Sequence, residues 1–258
     1  MKNRIWLSLI ASALFTTGAY AQKTAGHSGE VHFSYDGNTA PAQWYSLKEE
    51  WKTCKNGLTL KPVKAGELHQ SPVDFKHAKA VTPKFDLDYD KSLDFKIINN
   101  GHSIMFKAKN DKAASVKIDG KTYYLKQFHF HYLSEHTIKG KHTPMEVHFV
   151  NVSDDGSIAV LGVFIDRSRS GGNAMLEKAF SVSLPQSGYA NKPLIALNPV
   201  SMLPQGKVYS YSGSLTTPPC SENVAWNVYV DHIKLSEKKI EAFKKLYDHN
   251  YRPVTGSY

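Results

Sequence analysis

The sequence predicts a sheet-dominated single domain with mainly antiparallel neighbours, on three observations. Its clearest periodic segments alternate apolar and polar residues with period two rather than 3.6. Turn-forming pairs punctuate those segments. No internal repeat, low-complexity tract or Gly/Ser linker divides residues 22–258.

The elements follow in chain order. Lys2 and Arg4 precede an apolar run from Ile5 to Phe15, and Ala19-Tyr20-Ala21 offers small residues at both positions a signal peptidase reads. A signal peptide over residues 1–21, cleaved before Gln22, is expected. The alternative is a membrane-anchoring helix, but the run falls short of the ~20 apolar residues a span requires, and no later stretch approaches that length. The expected product is a periplasmic or secreted domain, residues 22–258, with no membrane span after signal removal. Taking 21 residues from 258 leaves 237, enough for one large domain with an ample core, with two small domains as the alternative. Strands are predicted at Tyr123–Tyr132, Met145–Val152, Ser157–Ile165 and Asn223–Val230. Turns are predicted at Asn110-Asp111, Asp119-Gly120, Lys139-Gly140 and Asp155-Gly156. One helix is predicted after Ser236, with Glu237 in its first turn and an apolar stripe of Ile240, Phe243, Leu246 and Tyr247. Residues 166–206 mix Gly, Pro, Ser and apolar residues without a period that orders them.

Loss of Lys2 and Arg4 with the signal lowers the formal charge from +9 to +7. The remaining lysines are scattered, with no dense basic tract or aromatic-interleaved ladder, which argues against nucleic acid as a partner. A solvated basic surface with a mild pull on small anions is the simpler reading. Cys54 and Cys220 are the two cysteines, and there is no C-x-x-C. In an oxidising compartment they are expected to form one disulfide. Closing a loop whose ends lie 166 residues apart is worth ~5 kcal/mol in the chain-entropy model. Two buried free thiols are the alternative.

The chemistry concentrates on two of the strands. In Gln127-Phe128-His129-Phe130-His131, residues two apart share a face, so Gln127, His129 and His131 point one way and the aromatic residues the other. Glu146-Val147-His148-Phe149-Val150 repeats the pattern, with Glu146, His148 and Val150 on one face. If these strands are neighbours, three imidazoles converge from one side of a sheet. Three His ligands with a fourth position left to water is the arrangement of a catalytic zinc site, whereas a structural site is closed by a fourth protein ligand. H-x-H alone is weak, and a single strand histidine is usually an ordinary polar residue. The third histidine raises the odds, as do Gln127 and Glu146, each placed two residues before a histidine to accept its second ring N–H.

At these residues the sequence resembles the alpha-class carbonic anhydrases of the exported bacterial kind. QFHFH at Gln127–His131, SEHT at Ser134–Thr137, MEVHFV at Met145–Val150 and SLTTPPC at Ser214–Cys220 carry the resemblance. QSPVD at Gln70–Asp74, NNGHS at Asn99–Ser103, AVLG at Ala159–Gly162 and NYRP at Asn250–Pro253 extend it from about Tyr35 to Pro253. It implies a predominantly β (α+β) fold, a single domain on a large twisted, mostly antiparallel sheet with short surface helices.

The resemblance also implies a reaction: zinc-dependent reversible hydration of carbon dioxide to bicarbonate and a proton. One Zn2+ per chain would sit on His129, His131 and His148, with Gln127 and Glu146 behind them. Thr216 would accept a hydrogen bond from the zinc-bound hydroxide and donate its own to Glu135. Val150, Val160, Leu215, Thr217, Val224 and Trp226 would line an apolar substrate pocket. His102 would shuttle the released proton, helped by Tyr35 and Asn100, because an imidazole titrating near neutrality suits that task. A Cys54–Cys220 bridge would brace the loop carrying Thr216. Phe33 and Met105 depart from the pattern, standing where relatives often carry Trp and a polar amide. A zinc-dependent esterase or hydrolase, and a non-catalytic zinc-binding module, are the rival readings. A homodimer is compatible with the sequence.

Overall fold

The computed structural model describes residues 31–62, 69–89 and 91–258; the signal segment expected at residues 1–21 lies outside them. Among the described residues the strands, in order, are β1 (Lys61–Pro62), β2 (Phe85–Asp88), β3 (Leu93–Asn99), β4 (Ile104–Ala108), β5 (Ser115–Ile118), β6 (Lys121–His131) and β7 (Met145–Val152). They continue with β8 (Ile158–Ser168), β9 (Ile195–Leu197), β10 (Val208–Ser214), β11 (Glu222–Tyr229), β12 (Ile233–Ser236) and β13 (Gly256–Ser257). Among the described residues three short α-helices accompany them, α1 (Trp44–Leu47), α2 (Ala174–Ala179) and α3 (Glu237–Lys244), with 3-10 turns at Gly37–Thr39, Glu49–Gly57 and Pro199–Met202.

One large sheet dominates, in the order β10-β11-β8-β7-β6-β4-β3-β9, with β5 also on β6, β2 on β5 and β12 on β8. Its pairings are antiparallel except where β8 runs parallel to both β11 and β12. The predicted strands are therefore present, β7 with the limits read from the sequence. Asp119 and Gly120 both take positive φ, 46° and 83°, and form the two-residue turn between β5 and β6 that an Asp-Gly pair favours.

β6 shows how the sequence builds the two faces. Tyr123 and Leu125 occupy odd positions, whereas Phe128 and Phe130 occupy even ones, yet all four belong to the main core. The ladder to β7 slips between Leu125 and Gln127, and this bulge changes the parity of the strand. Beyond it, Phe128 and Phe130 pack with Phe95, Phe106, Phe149 and Phe180, while His129 and His131 are turned to the opposite face. Ile240 and Phe243 of α3 and Leu176 of α2 are buried in the same core cluster. A second apolar cluster on the histidine side includes Val73, Phe75, Val160, Tyr211, Val224 and Trp226.

The helix reading needs correction at both ends. α3 stops at Lys244, and Leu246 lies beyond it, 38% exposed. Ser236 precedes the helix, but its side chain does not cap it. Its backbone N–H (2.7 Å) and hydroxyl (3.1 Å) instead donate to the carboxylate of Glu177, which ties α3 to α2. α2 and β9 lie in residues 166–206, where periodicity ordered nothing. α2 is short and capped by Asn173, whose side-chain oxygen accepts from Met175 N and Leu176 N.

Candidate metal centre

The β6–β7 register sets His129 opposite His148 and His131 opposite Glu146. One ring nitrogen from each of His129, His131 and His148 lies within 4.8 Å of the other two. The second nitrogen of each ring is engaged. His129 Nδ1–H donates to Gln127 Oε1 at 2.8 Å, and His148 Nε2–H donates to Glu146 Oε1 at 2.8 Å. His131 Nδ1–H donates to the carbonyl of Asn250 at 2.6 Å. With those protons fixed, each ring presents a bare nitrogen to the shared space. Gln127 and Glu146 stand where their spacing placed them. Asn250 was missed as a partner, because a backbone carbonyl 119 residues away leaves no side-chain signature.

Three facts fit this cluster to a zinc ion. His131 and His148 are 1% exposed, and His131 Nε2 has no hydrogen-bond partner among the described residues. An unpaired buried nitrogen is costly unless something else satisfies it. Burial, reinforced by the neighbouring imidazoles, lowers the pKa of His129 and His131, keeping them in the neutral ligating form. Nitrogen donors of this kind suit zinc, and among the described residues no fourth side chain joins the three in the group.

Glu146 is held on all sides. Its Oε1 also accepts from His136 Nδ1–H at 2.8 Å, and its Oε2 accepts from the backbone N–H groups of Glu135 and His136, each at 2.9 Å. Burial alone would raise its pKa, but His136 and His148 hold it well below the usual carboxylate range. Burial would likewise lower His148, yet the Glu146 and Glu135 carboxylates raise it. The chain of bonds continues outward: the Tyr211 hydroxyl donates to His136 Nε2 at 2.8 Å and accepts from Ser71 Oγ at 2.7 Å. Burial pushes the Tyr211 phenol well above its ordinary value, so it stays a donor. His136, inside the SEHT motif, is a participant the sequence reading overlooked.

Glu135 is fully buried beside the cluster. Its Oε1 accepts from Arg252 N at 2.8 Å, and its Oε2 lies 3.5 Å from His131 Nε2 and 3.8 Å from His148 Nδ1 with no hydrogen-bond partner among the described residues. Thr216 is buried and lines the adjoining cavity. The structure thus brings both residues to the site without forming the Thr216–Glu135 bond. Arg252, 2% exposed, donates through Nη1 to Gln70 Oε1 and the Ser71 carbonyl and through Nη2 to the Cys54 carbonyl. Burial lowers its pKa to about 10. Cys54 and Cys220 form the expected disulfide, in a buried cluster with Trp44 and Trp51.

A cavity of about 450 Å³ opens on His129 and His148, walled by Val150, Val160, Leu215, Thr217 and Trp226 among others. Val224 lies buried in the apolar cluster behind that wall rather than among its lining residues. Ile158, two residues before Val160 and so on its face, lines the cavity and was legible from the alternation but not chosen.

The residues expected on the proton path take other contacts. The His102 ring stacks on Phe33, and burial, with His32 nearby, lowers its pKa to about 4 instead of near neutrality. The Asn100 side-chain oxygen accepts from His102 N and Ser103 N, closing its own turn. Tyr35 packs edge-on to Phe33 and Trp44, and its phenol pKa is raised by burial and by Glu135. Met105 is cross-strand from His129.

Comparison with known proteins agrees with this geometry. The sequence model of the eukaryotic-type carbonic anhydrase family matches residues 46–256. A carbonic anhydrase of Klebsiella pneumoniae is 35% identical over 228 residues, covering 86% of this chain and 87% of that protein. Among solved structures, the alpha-carbonic anhydrase of Thermovibrio ammonificans, in complex with the inhibitor sulfanilamide, is similar with a TM-score of 0.76 and 38% identity. It covers 88% of this chain and 96% of its own. The Photobacterium profundum alpha-carbonic anhydrase gives a TM-score of 0.75 at 33% identity, over 87% of this chain and 96% of that one.

Proposed function

The chain belongs to the eukaryotic-type, or alpha, carbonic anhydrase family, and from that premise we propose that it hydrates carbon dioxide reversibly at one zinc ion held by His129, His131 and His148. The observation that carries the zinc assignment is the buried Nε2 of His131, without a hydrogen-bond partner among the described residues, within a group of three imidazoles whose other nitrogens are all engaged. When bound, zinc supplies Lewis acidity and a nucleophilic oxygen at neutral pH, the chemistry for which carbonic anhydrases are the reference example.

The chain's own residues do the rest. Gln127, Glu146 and the Asn250 carbonyl fix the tautomer and orientation of the three rings. Val150, Val160, Leu215 and Trp226 give the cavity an apolar wall suited to a small apolar substrate. A small shift of Thr216 would let its hydroxyl donate a hydrogen bond to Glu135 Oε2, the oxygen of that carboxylate with no hydrogen-bond partner among the described residues, leaving the Thr216 lone pairs for the cavity it lines. Arg252 N holds the other oxygen. His102 carries the released proton outward once its ring leaves the stack on Phe33, with Tyr35 and Asn100 beside it.

The domain over residues 22–258 works after export and removal of residues 1–21. The disulfide supports an oxidising compartment, and among the described residues no helix is long and apolar enough to cross a membrane.

Stopped-flow hydration of carbon dioxide, run with and without chelator on a sample of measured metal content, tests the reading. One zinc per chain and chelator-sensitive hydration are expected. Equal activity of metal-free protein would sink the metal assignment, and an ester-only activity would favour a hydrolase.

A further inference from the structure

Resting on the zinc reading above, we propose that Gly162 is a positioning residue of the metal centre: its missing side chain leaves the room in which one carboxylate, Glu146, grips His148 and His136 together. In the β7–β8 register Gly162 stands directly opposite His148, so any side chain there shares the face that carries the imidazoles. The backbone does not demand glycine, because Gly162 is not among the glycines with positive φ. Glycine inside a strand weakens it and often marks a place where another group approaches closely. Here the close group is the Glu146 carboxylate. A Cβ at residue 162 would lie 3.1 Å from Glu146 Oε1 and 3.2 Å from Val228 Cγ2.

Glu146 has nowhere to retreat. It is wholly buried, its Oε1 takes both imidazole N–H groups at 2.8 Å, and its Oε2 takes two backbone N–H groups at 2.9 Å. A methyl group opposite His148 therefore presses on the very atom that the two rings share. Displacing Oε1 slackens the His148 Nε2–H bond and turns the opposite nitrogen, Nδ1, away from the other two imidazoles. The overlap is only tenths of an ångström, so the alanine variant is expected to fold.

The test compares zinc affinity, measured on chelator-stripped protein by competition with a fluorescent chelator, with the melting temperature of the same metal-free protein. Gly162→Ala should bind zinc roughly 10- to 100-fold more weakly, the loss typical when a ligand's hydrogen-bond partner is disturbed. A lower metal-free melting temperature with zinc affinity within twofold of wild type would make the glycine a packing residue only and overturn the proposal. The double variant Gly162→Ala, Val228→Ala relieves the other near neighbour and should stay as weak as Gly162→Ala; recovery of wild-type affinity would place the effect at Val228 and also overturn it. Wild-type protein that binds no stoichiometric zinc would instead sink the metal-centre reading, a result distinct from an unchanged variant.

Discussion

The imidazole of His102 lies flat against the ring of Phe33, with centroids 3.8 Å apart and planes 10° from parallel. Burial, with His32 nearby, lowers its pKa to about 4, so in this pose the ring is neutral at pH 7 and a poor proton acceptor. Leaving the stack returns it toward solvent and toward its ordinary value. Phe33→Ala is therefore expected to raise the His102 pKa toward 6.5 in an NMR titration and to speed turnover at low buffer. A pKa that stays near 4 would show that the cover comes from elsewhere.

His102→Ala should slow carbon dioxide hydration at low buffer, and added imidazole should restore the rate by supplying the missing relay. Equal rates for variant and wild type in weak buffer would remove His102 from the proton path.

The same depressed value makes a stability prediction. The unfolded chain protonates His102 near pH 6.5 and the folded chain only near pH 4, so the unfolded state takes up the proton first as pH falls. Stability present above about pH 6.5 is lost progressively toward pH 4. His102→Gln should flatten that part of a curve of melting temperature against pH. Superimposable curves for the two proteins would refute the linkage.

Tyr211→Phe removes the hydroxyl that donates to His136 Nε2 and leaves that buried nitrogen without a partner. The cost is expected to be roughly 1–3 kcal/mol of folding stability, with zinc affinity falling less than for changes at Glu146. Denaturant titration with and without zinc separates the two effects; unchanged stability would mean that another group satisfies His136.

Cys54→Ser opens the 166-residue separation closed by the disulfide and should lower stability by up to ~5 kcal/mol in the chain-entropy model, while zinc is still bound at low temperature. Calorimetry in parallel with metal analysis checks both halves, and an unchanged melting temperature would count against the bridge as a stabilising tie.

What the sequence made legible was whatever rests on alternation within one strand or on its immediate partner. Gln127, His129, His131, Glu146 and His148 were placed by period two alone, and the β6–β7 pairing they required is present. Contacts made by backbone groups or across long separations were not legible. The Asn250 carbonyl on His131 and the Arg252 N–H on Glu135 carry no residue-type signal. His136 was passed over because a histidine in a loop motif reads the same whether exposed or bonded to Glu146. The expected His102 pKa failed for a tertiary reason: only packing reveals that Phe33 covers the ring. The α3 stripe was overextended because amphipathic spacing persists past Lys244, where the helix stops.

Asn250 reaches four residues at once: its carbonyl orients His131, its side-chain nitrogen donates to the carbonyls of His102 and Phe130, and its side-chain oxygen accepts from Tyr132 N. Two residues on, Arg252 anchors Glu135. A nascent chain that has emerged only as far as residue 249 already holds all three imidazoles of the cluster, yet lacks the acceptor that aims one of them. The arrangement is complete only when segments 117 to 119 residues apart have met, the kind of long-range contact that slows folding.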